Sequence, residues 1–199
     1  MIYFQNGGVS FHDTREQLLP RPWVIDDLNA LVTRLTKGPR YKKVLLFVDN
    51  AGADFVLGMI PLARELVRQG TGQVVIAANE QPAINDMTEA EICELLPRIA
   101  DADTIIREAL SCGKLRVVSS GNGLPVIDLT RVSTRLVDSA KDVDLVVLEG
   151  MGRSIETNLN ATFSCDSVKV GMVKHPEVAA SLGGRMLDCV IKFETGKKE

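Results

Sequence analysis

Residues 43–80 read KVLLFVDNAGADFVLGMIPLARELVRQGTGQVVIAANE, and this stretch decides the fold. Val44–Val48 and Gln73–Ala77 are short runs rich in β-branched residues, whereas Ala53–Gln69 between them carries apolar residues at helical spacing. Strand, amphipathic helix and strand in so short a span make a βα unit of a parallel sheet. The alternation continues outward. Leu115–Ser119, Asp144–Leu148 and Val168–Val173 read as further strands, with Asp188–Phe193 as a sixth. Thr88–Ser111, broken near Pro97, Thr130–Lys141, Glu156–Phe163 and Pro176–Leu182 read as helices. The pattern predicts an α/β fold: a three-layer α/β/α sandwich with a mainly parallel, Rossmann-like sheet over residues 43–194. Residues 1–42, with Gly7-Gly8, Pro20, Pro22 and Pro39, read as an approach segment with one short helix over Asp26–Thr36. Residues 195–199 form a polar tail.

The chain has 199 residues, of which 45% are hydrophobic, 25% charged and 5% aromatic, the profile of a globular domain able to bury a core. Lys and Arg number 23 against 26 Asp and Glu, a net charge of -3, so nucleic acid is not expected as a partner. No apolar run approaches the roughly 20 residues that span a bilayer, and the first residues lack a signal-peptide pattern. Cys93, Cys112, Cys165 and Cys189 form no CxxC pair and read as ordinary core thiols of a reducing compartment. A cytoplasmic protein without membrane partners is expected. The triplet Tyr3-Phe4-Gln5 resembles the end of a protease site in a tag as much as it does native sequence.

Ligands of open parallel sheets bind at the carboxyl ends of the strands. There this chain places Asp49-Asn50 and Asp54, Asn79-Glu80 followed by Asn85-Asp86, Ser119-Ser120-Gly121-Asn122-Gly123, Glu149-Gly150-Met151-Gly152-Arg153, and Lys174-His175. Asp49, Asn50 and Asp86 are an all-oxygen set suited to Mg²⁺ or Mn²⁺, although either aspartate could instead cap the helix after it. Asp54 reads as a substrate contact or a first-turn acid. Gly150, Gly152 and Arg153 could hold phosphate oxygens or form a plain turn, and Lys174 could neutralise a phosphoryl group. The serines and glycines of 119–123 read as an anion cradle or, preferably, a loop. His12 has no anchor, and His175 reads as a residue preceding the Pro176 helix.

No GxxxxGK, GxGxxG or GxSxG string occurs at a suitable position, which removes P-loop, dinucleotide-binding and serine-hydrolase readings. VDNAGAD (48–54), AANEQPAIND (77–86), GNGLPVIDL (121–129), VVLEGMGRSIETN (146–158), VGMVKHPEVAASLGGR (170–185) and CVIKFE (189–194) resemble, in this order, the metal-dependent damage-control phosphatases formerly grouped as a domain of unknown function. The likeness runs from about Arg21 to Glu194 and is strongest to the phosphatase domain that follows a pantothenate kinase region in plants and animals. The resemblance implies a divalent cation (Mg, Mn, Co or Ni) on Asp49, Asn50 and Asp86. It also implies that Gly150, Met151, Gly152, Arg153 and Lys174 line the phosphate and substrate site, to which Asp54, Asn79 and Glu149 at the strand ends are added as substrate contacts. The implied activity is hydrolysis of phosphate monoesters, especially 4′-phosphopantetheine and its oxidised or damaged forms in coenzyme A metabolism. Asp49 and Lys174 are the candidate catalytic residues, with water preferred over Asp49 as nucleophile because position 51, Ala, breaks the DxD spacing.

Family members carry a larger helical region before the sandwich, so the chain reads as a fragment or a short form, without the kinase half. Two alternatives stand beside the phosphatase: a non-catalytic pantetheine-binding or self-association module, and a sugar-phosphate phosphatase. A homo-oligomer is compatible with the sequence.

Overall fold

The structure, a computed structural model, describes residues 19–196. The Tyr3–Gln5 triplet, His12 and most of the polar tail lie outside that range. In chain order the strands are β1 (Ile25–Asp26), β2 (Lys43–Phe47), β3 (Gln73–Ala78), β4 (Leu115–Ser119), β5 (Leu145–Glu149), β6 (Asp166–Met172) and β7 (Cys189–Glu194). The helices are α1 (Leu28–Lys37), α2 (Ile60–Arg68), α3 (Glu89–Ala102), α4 (Thr104–Ser111), α5 (Thr134–Ala140) and α6 (Pro176–Leu182), with π-helical turns at Asp54–Met59 and Met151–Glu156.

All seven strands join one sheet in the order β1-β7-β6-β5-β2-β3-β4. It is parallel throughout except where β7 runs antiparallel to β6. β1, contributed by the approach segment, pairs with β7 and forms the edge. Alternation sorts the strand side chains between two cores. Val44, Leu46, Val74, Ile76 and Val147 pack beneath α2, α3 and α4, whereas Leu45, Phe47, Val75, Val146 and Leu148 meet α5 and the Ile127 segment on the other face. The sandwich therefore forms as expected.

The order reverses at β2, whose neighbours are β3 on one side and β5 on the other. Such a switch point opens a crevice beyond the strand ends. Phe47 pairs with Ala77 and with Leu148, so two residues later Asp49 comes level with Asn79 and Gly150.

Several element boundaries differ from the sequence expectation. The first helix starts at Leu28 rather than Asp26, because Asp26 is held in the β1–β7 pairing. Within Ala53–Gln69 the first turn is π-helical and the α-helix begins at Ile60: Pro61 has no N–H to give, and the Ile60 N–H reaches back to the Phe55 carbonyl. The long helix breaks at Asp103 and not at Pro97. Pro97 is tolerated because the carbonyl it leaves unbonded belongs to Cys93, on the solvent side. Asp103 accepts the Ile106 N–H at 3.0 Å and so caps a new helix. The helix expected from Thr130 starts only at Thr134, capped by Ser133. No α-helix forms over Glu156–Phe163. The Thr157 hydroxyl donates to the Gly152 carbonyl and the Asn158 amide to those of Ile127 and Arg153, drawing the chain out of helical pairing. Two of the cysteines are not core residues: Cys93 and Cys112 are exposed, whereas Cys165 packs half-buried against the Leu45–Phe47 core and Cys189 is half-buried. Cys93 falls one position off the Ile92–Leu96–Ala100 stripe that α3 buries, and Cys112 ends α4.

Candidate active site

Asp49 follows β2 and is buried, as is Asp86, which reaches the same crevice by pairing of Asn50 with Asp86 in an isolated bridge. The Ala51 N–H donates to the Asn85 carbonyl and the Met87 N–H to that of Asp49, so main-chain bonds lock the two loops together. Between the carboxylates lies Arg153, only 2% exposed. Its guanidinium donates to Asp49 Oδ1, to Asn79 Oδ1 at 2.8 Å and to Asp86 Oδ2 at 3.0 Å. Asn79 completes the network by donating to Asp86 Oδ2 and to the Leu124 carbonyl.

A guanidinium fork reaches this depth because the π-helical turn over Met151–Glu156 carries Arg153 inward. Gly150 makes that possible. Its φ of 101° lies in the region that favours glycine, and a Cβ there would fall on the Asp49 carboxylate. Gly152 likewise rests against the Pro125 carbonyl. The Gly150–Arg153 stretch is thus packed closely against Asp49 and the Pro125 carbonyl.

The remaining candidates border this core. Asn50 donates to Asp54 Oδ2 at 2.7 Å and accepts from Asn85 at 2.8 Å. Glu149 Oε2 accepts the Asp49 N–H at 2.6 Å. Lys174 is exposed, anchored by its N–H on Met151 Sδ, and its charge is felt at Asp49. Direct contacts thus join Asp49, Asn50, Asp54, Asn79, Asp86, Glu149, Gly150 and Arg153 at the strand ends, with the charge of Lys174 reaching Asp49 from the surface.

Burial pushes the Asp49 carboxyl up to about 6; Arg153 and Lys174 oppose the rise, and Asp86 and Asp54 add to it. Glu149 is pushed to about 8, chiefly by burial and then by Asp49. It is therefore largely protonated at neutral pH. Asp49, Asp86 and Asp54 then set three carboxylates against Arg153 and Lys174, an excess of negative charge. Among the described residues no three acidic, cysteine or histidine side chains form a ready metal cage. Two buried carboxylates with amide oxygens are nonetheless the sparse, hard donor set of a Mg²⁺-type cation that keeps several waters, so the residues fit such an ion.

Sequence reading missed how deep Arg153 lies and missed Asn158 altogether. Asn158 is buried and ties the Arg153 carbonyl to that of Ile127. An asparagine in an expected helix gave no signal; the GxGR spacing gave a faint one for Arg153.

Residues 5–190 match the family described as the damage-control phosphatase ARMT1-like domain. The chain is 53% identical over 190 residues to the damage-control phosphatase At2g17340 of Arabidopsis thaliana, covering 96% of this chain and 51% of that protein. It is 43% identical to a protein named pantothenate kinase 2 from Oryza sativa subsp. japonica, covering 97% of this chain and 24% of the relative. The 4′-phosphopantetheine phosphatase of Mus musculus is 34% identical, over 94% of this chain and 29% of the mouse protein. The chain spans about half or less of the length of these relatives. A crystal structure of a DUF89 family protein from Pyrococcus horikoshii superposes with a TM-score of 0.66 at 23% identity, over 96% of this chain and 60% of that one, and shares its fold.

Proposed function

Because the chain belongs to the damage-control phosphatase ARMT1-like family, we propose that it is a metal-dependent hydrolase of phosphate monoesters. Its proposed substrates are 4′-phosphopantetheine and the oxidised or damaged forms of that compound. The observation that carries the reading is the buried Asp49–Arg153–Asp86 array at the sheet's switch point, a site short of positive charge. Asp49, Asn50 and Asp86 would hold a divalent cation (Mg, Mn, Co or Ni), which when bound draws electron density from the phosphoryl oxygens.

The chain's own side chains do the rest. Arg153 fixes the two carboxylates at their separation, so the site needs no reorganisation when substrate arrives. Lys174, exposed at the mouth, meets the phosphate dianion and spreads the charge that builds as the ester bond breaks. Asp54, Asn79 and Glu149 hold Asn50, Arg153 and the Asp49 main chain in place. The name of the mouse relative supports the choice of 4′-phosphopantetheine. No described helix is long and apolar enough to cross a membrane, and the four cysteines are free thiols. A cytoplasmic location is in keeping with the thiols.

The test is inorganic phosphate release from 4′-phosphopantetheine by metal-stripped protein titrated with Mg²⁺, Mn²⁺, Co²⁺ and Ni²⁺, beside Asp86→Ala. Release that needs metal and vanishes in the variant is expected. Folded protein that releases no phosphate with any of the four would overturn the reading in favour of a binding module.

A further inference from the structure

The loop after β4 forms one wall of the crevice. The Ser120 N–H donates to the Ala78 carbonyl at 2.7 Å, the Glu80 N–H to that of Asn122 at 2.8 Å, and Asn79 Nδ2 to that of Leu124 at 3.1 Å. These three bonds clamp residues 120–124 along the end of β3, the segment whose Asn79 also holds Arg153 and Asp86. Gly152 packs on the Pro125 carbonyl, so the same loop backs the π-helical turn that carries Arg153.

Within this tightly bonded wall two polar atoms have nothing to bond. Ser120 is 2% exposed, and its Oγ has no partner among the described residues; Asn122 Nδ2 is in the same state. Their neighbours are bonded within the chain. Ser119 Oγ accepts the Gly121 N–H and Ser133 Oγ donates to the Ser119 carbonyl. Asn122 Oδ1 faces the Leu124 N–H at 3.4 Å, which leaves Nδ2 as the unused end of that amide. Buried polar atoms are bonded almost without exception, to protein, water or ligand, and two orphans two residues apart, beside the Asn79 that holds Arg153, mark a place where acceptors from outside the chain would fit.

We propose that Ser120 Oγ and Asn122 Nδ2 form a specificity subsite for the uncharged alcohol portion of the substrate, donating to its hydroxyl or carbonyl oxygens. The inference rests on the phosphomonoester reading above. The phosphate lies at Lys174 and the Asp49–Asp86 pair, and the oxygen-bearing chain of the ester runs along the β3 end towards residues 120–122. Because both atoms lie beneath the surface, binding there requires the clamped loop 120–124 to yield as the substrate enters.

Ser120→Ala removes one orphan, and Asn122→Asp removes the other donor while keeping the Oδ1 that faces Leu124. The readout is kcat/KM on 4′-phosphopantetheine relative to n-butyl phosphate, whose alcohol portion offers no oxygen beyond the ester. Each variant should lower that ratio about tenfold, through KM, and Ser120→Ala should not lower the melting temperature, since the hydroxyl bonds no described residue. An unchanged ratio, or a melting temperature that falls with the ratio intact, would overturn the subsite and make the pair a structural water site. Should wild-type protein cleave neither ester, the hydrolase reading fails separately. Calorimetric binding of unphosphorylated pantetheine then decides: weakening of about tenfold in the variants upholds the subsite, and equal or absent binding refutes it.

Discussion

Lys169 on β6 and Arg153 just past β5 are both buried cations, and their carboxylate partners respond to them in opposite ways. Lys169 donates to the Ala161 carbonyl at 2.9 Å and to Ser167 Oγ at 3.2 Å, pairs with Glu194 and lies 5.4 Å from the centre of the Phe163 ring. Burial works against the Glu194 carboxylate, yet the bond and charge of Lys169, helped by Lys192, hold it below the usual range. Around Arg153 the direction reverses, and burial carries Asp49 to about 6 and Glu149 to about 8 despite the guanidinium. One ammonium facing a single carboxylate that is 38% exposed is a closed arrangement. One guanidinium shared by Asp49 and Asp86, with Asp54 close by and Lys174 as the further cation, is short of positive charge. The β6–β7 cluster balances its own charge; the cluster at the strand ends carries more negative than positive charge, which is what the proposed cation site rests on.

The largest effect that could break this contrast comes from Arg153→Ala, which leaves Asp49 and Asp86 buried without a counter-charge. Urea unfolding in metal-free buffer should show a loss of about 3–5 kcal/mol. A loss below about 1 kcal/mol would mean that water already solvates the pair and that the two clusters are alike.

Of comparable size is the pH dependence of the metal-free protein. Asp49 and Glu149 have folded values above their unfolded ones, so the folded chain keeps protons that the unfolded chain releases. Their contribution is fully present near pH 4 and is lost as pH rises through about 6 and then about 8. For Asp49 alone this is on the order of 3 kcal/mol. Denaturation curves from acid to mild alkali should show the decline, and Glu149→Gln should flatten its upper half. Glu194, shifted the other way, contributes stability that is lost as pH falls.

A smaller change is expected from Lys169→Met, which keeps the buried stem but strands the Ala161 carbonyl and the Ser167 hydroxyl, at a cost of about 1–3 kcal/mol by thermal unfolding. Smallest of all should be Glu194→Gln, under about 1 kcal/mol, because the partly exposed partner is screened by solvent. A cost there as large as that of Arg153→Ala would erase the distinction.

Much of this was legible in the chain. Val44–Val48 and Gln73–Ala77 announce buried parallel strands by β-branched density, and the polar residues directly after each strand had to line the crevice once the sheet was parallel. Asp49, Asn79, Glu149 and Lys174 were found in this way. Positions where a side chain competes with the backbone stayed hidden: Thr157 and Asn158 dissolved an expected helix, and Asp103 rather than Pro97 divided another. Such outcomes depend on carbonyls, such as that of Ile127, that are remote in sequence.

By itself, then, the sequence determined the layers, the parallel sheet and the set of acids, amides and cations at its carboxyl edge, because periodicity and strand ends are local properties. Only the tertiary structure decided which of them meet. Arg153 reaches Asp49 across 104 positions and Asp86 across 67, and Ser120 Oγ and Asn122 Nδ2 find no partner among the described residues within a wall that three backbone and amide bonds fix against β3. Strand order and register bring those groups together, and burial then sets their charges, and none of these is written in any one segment.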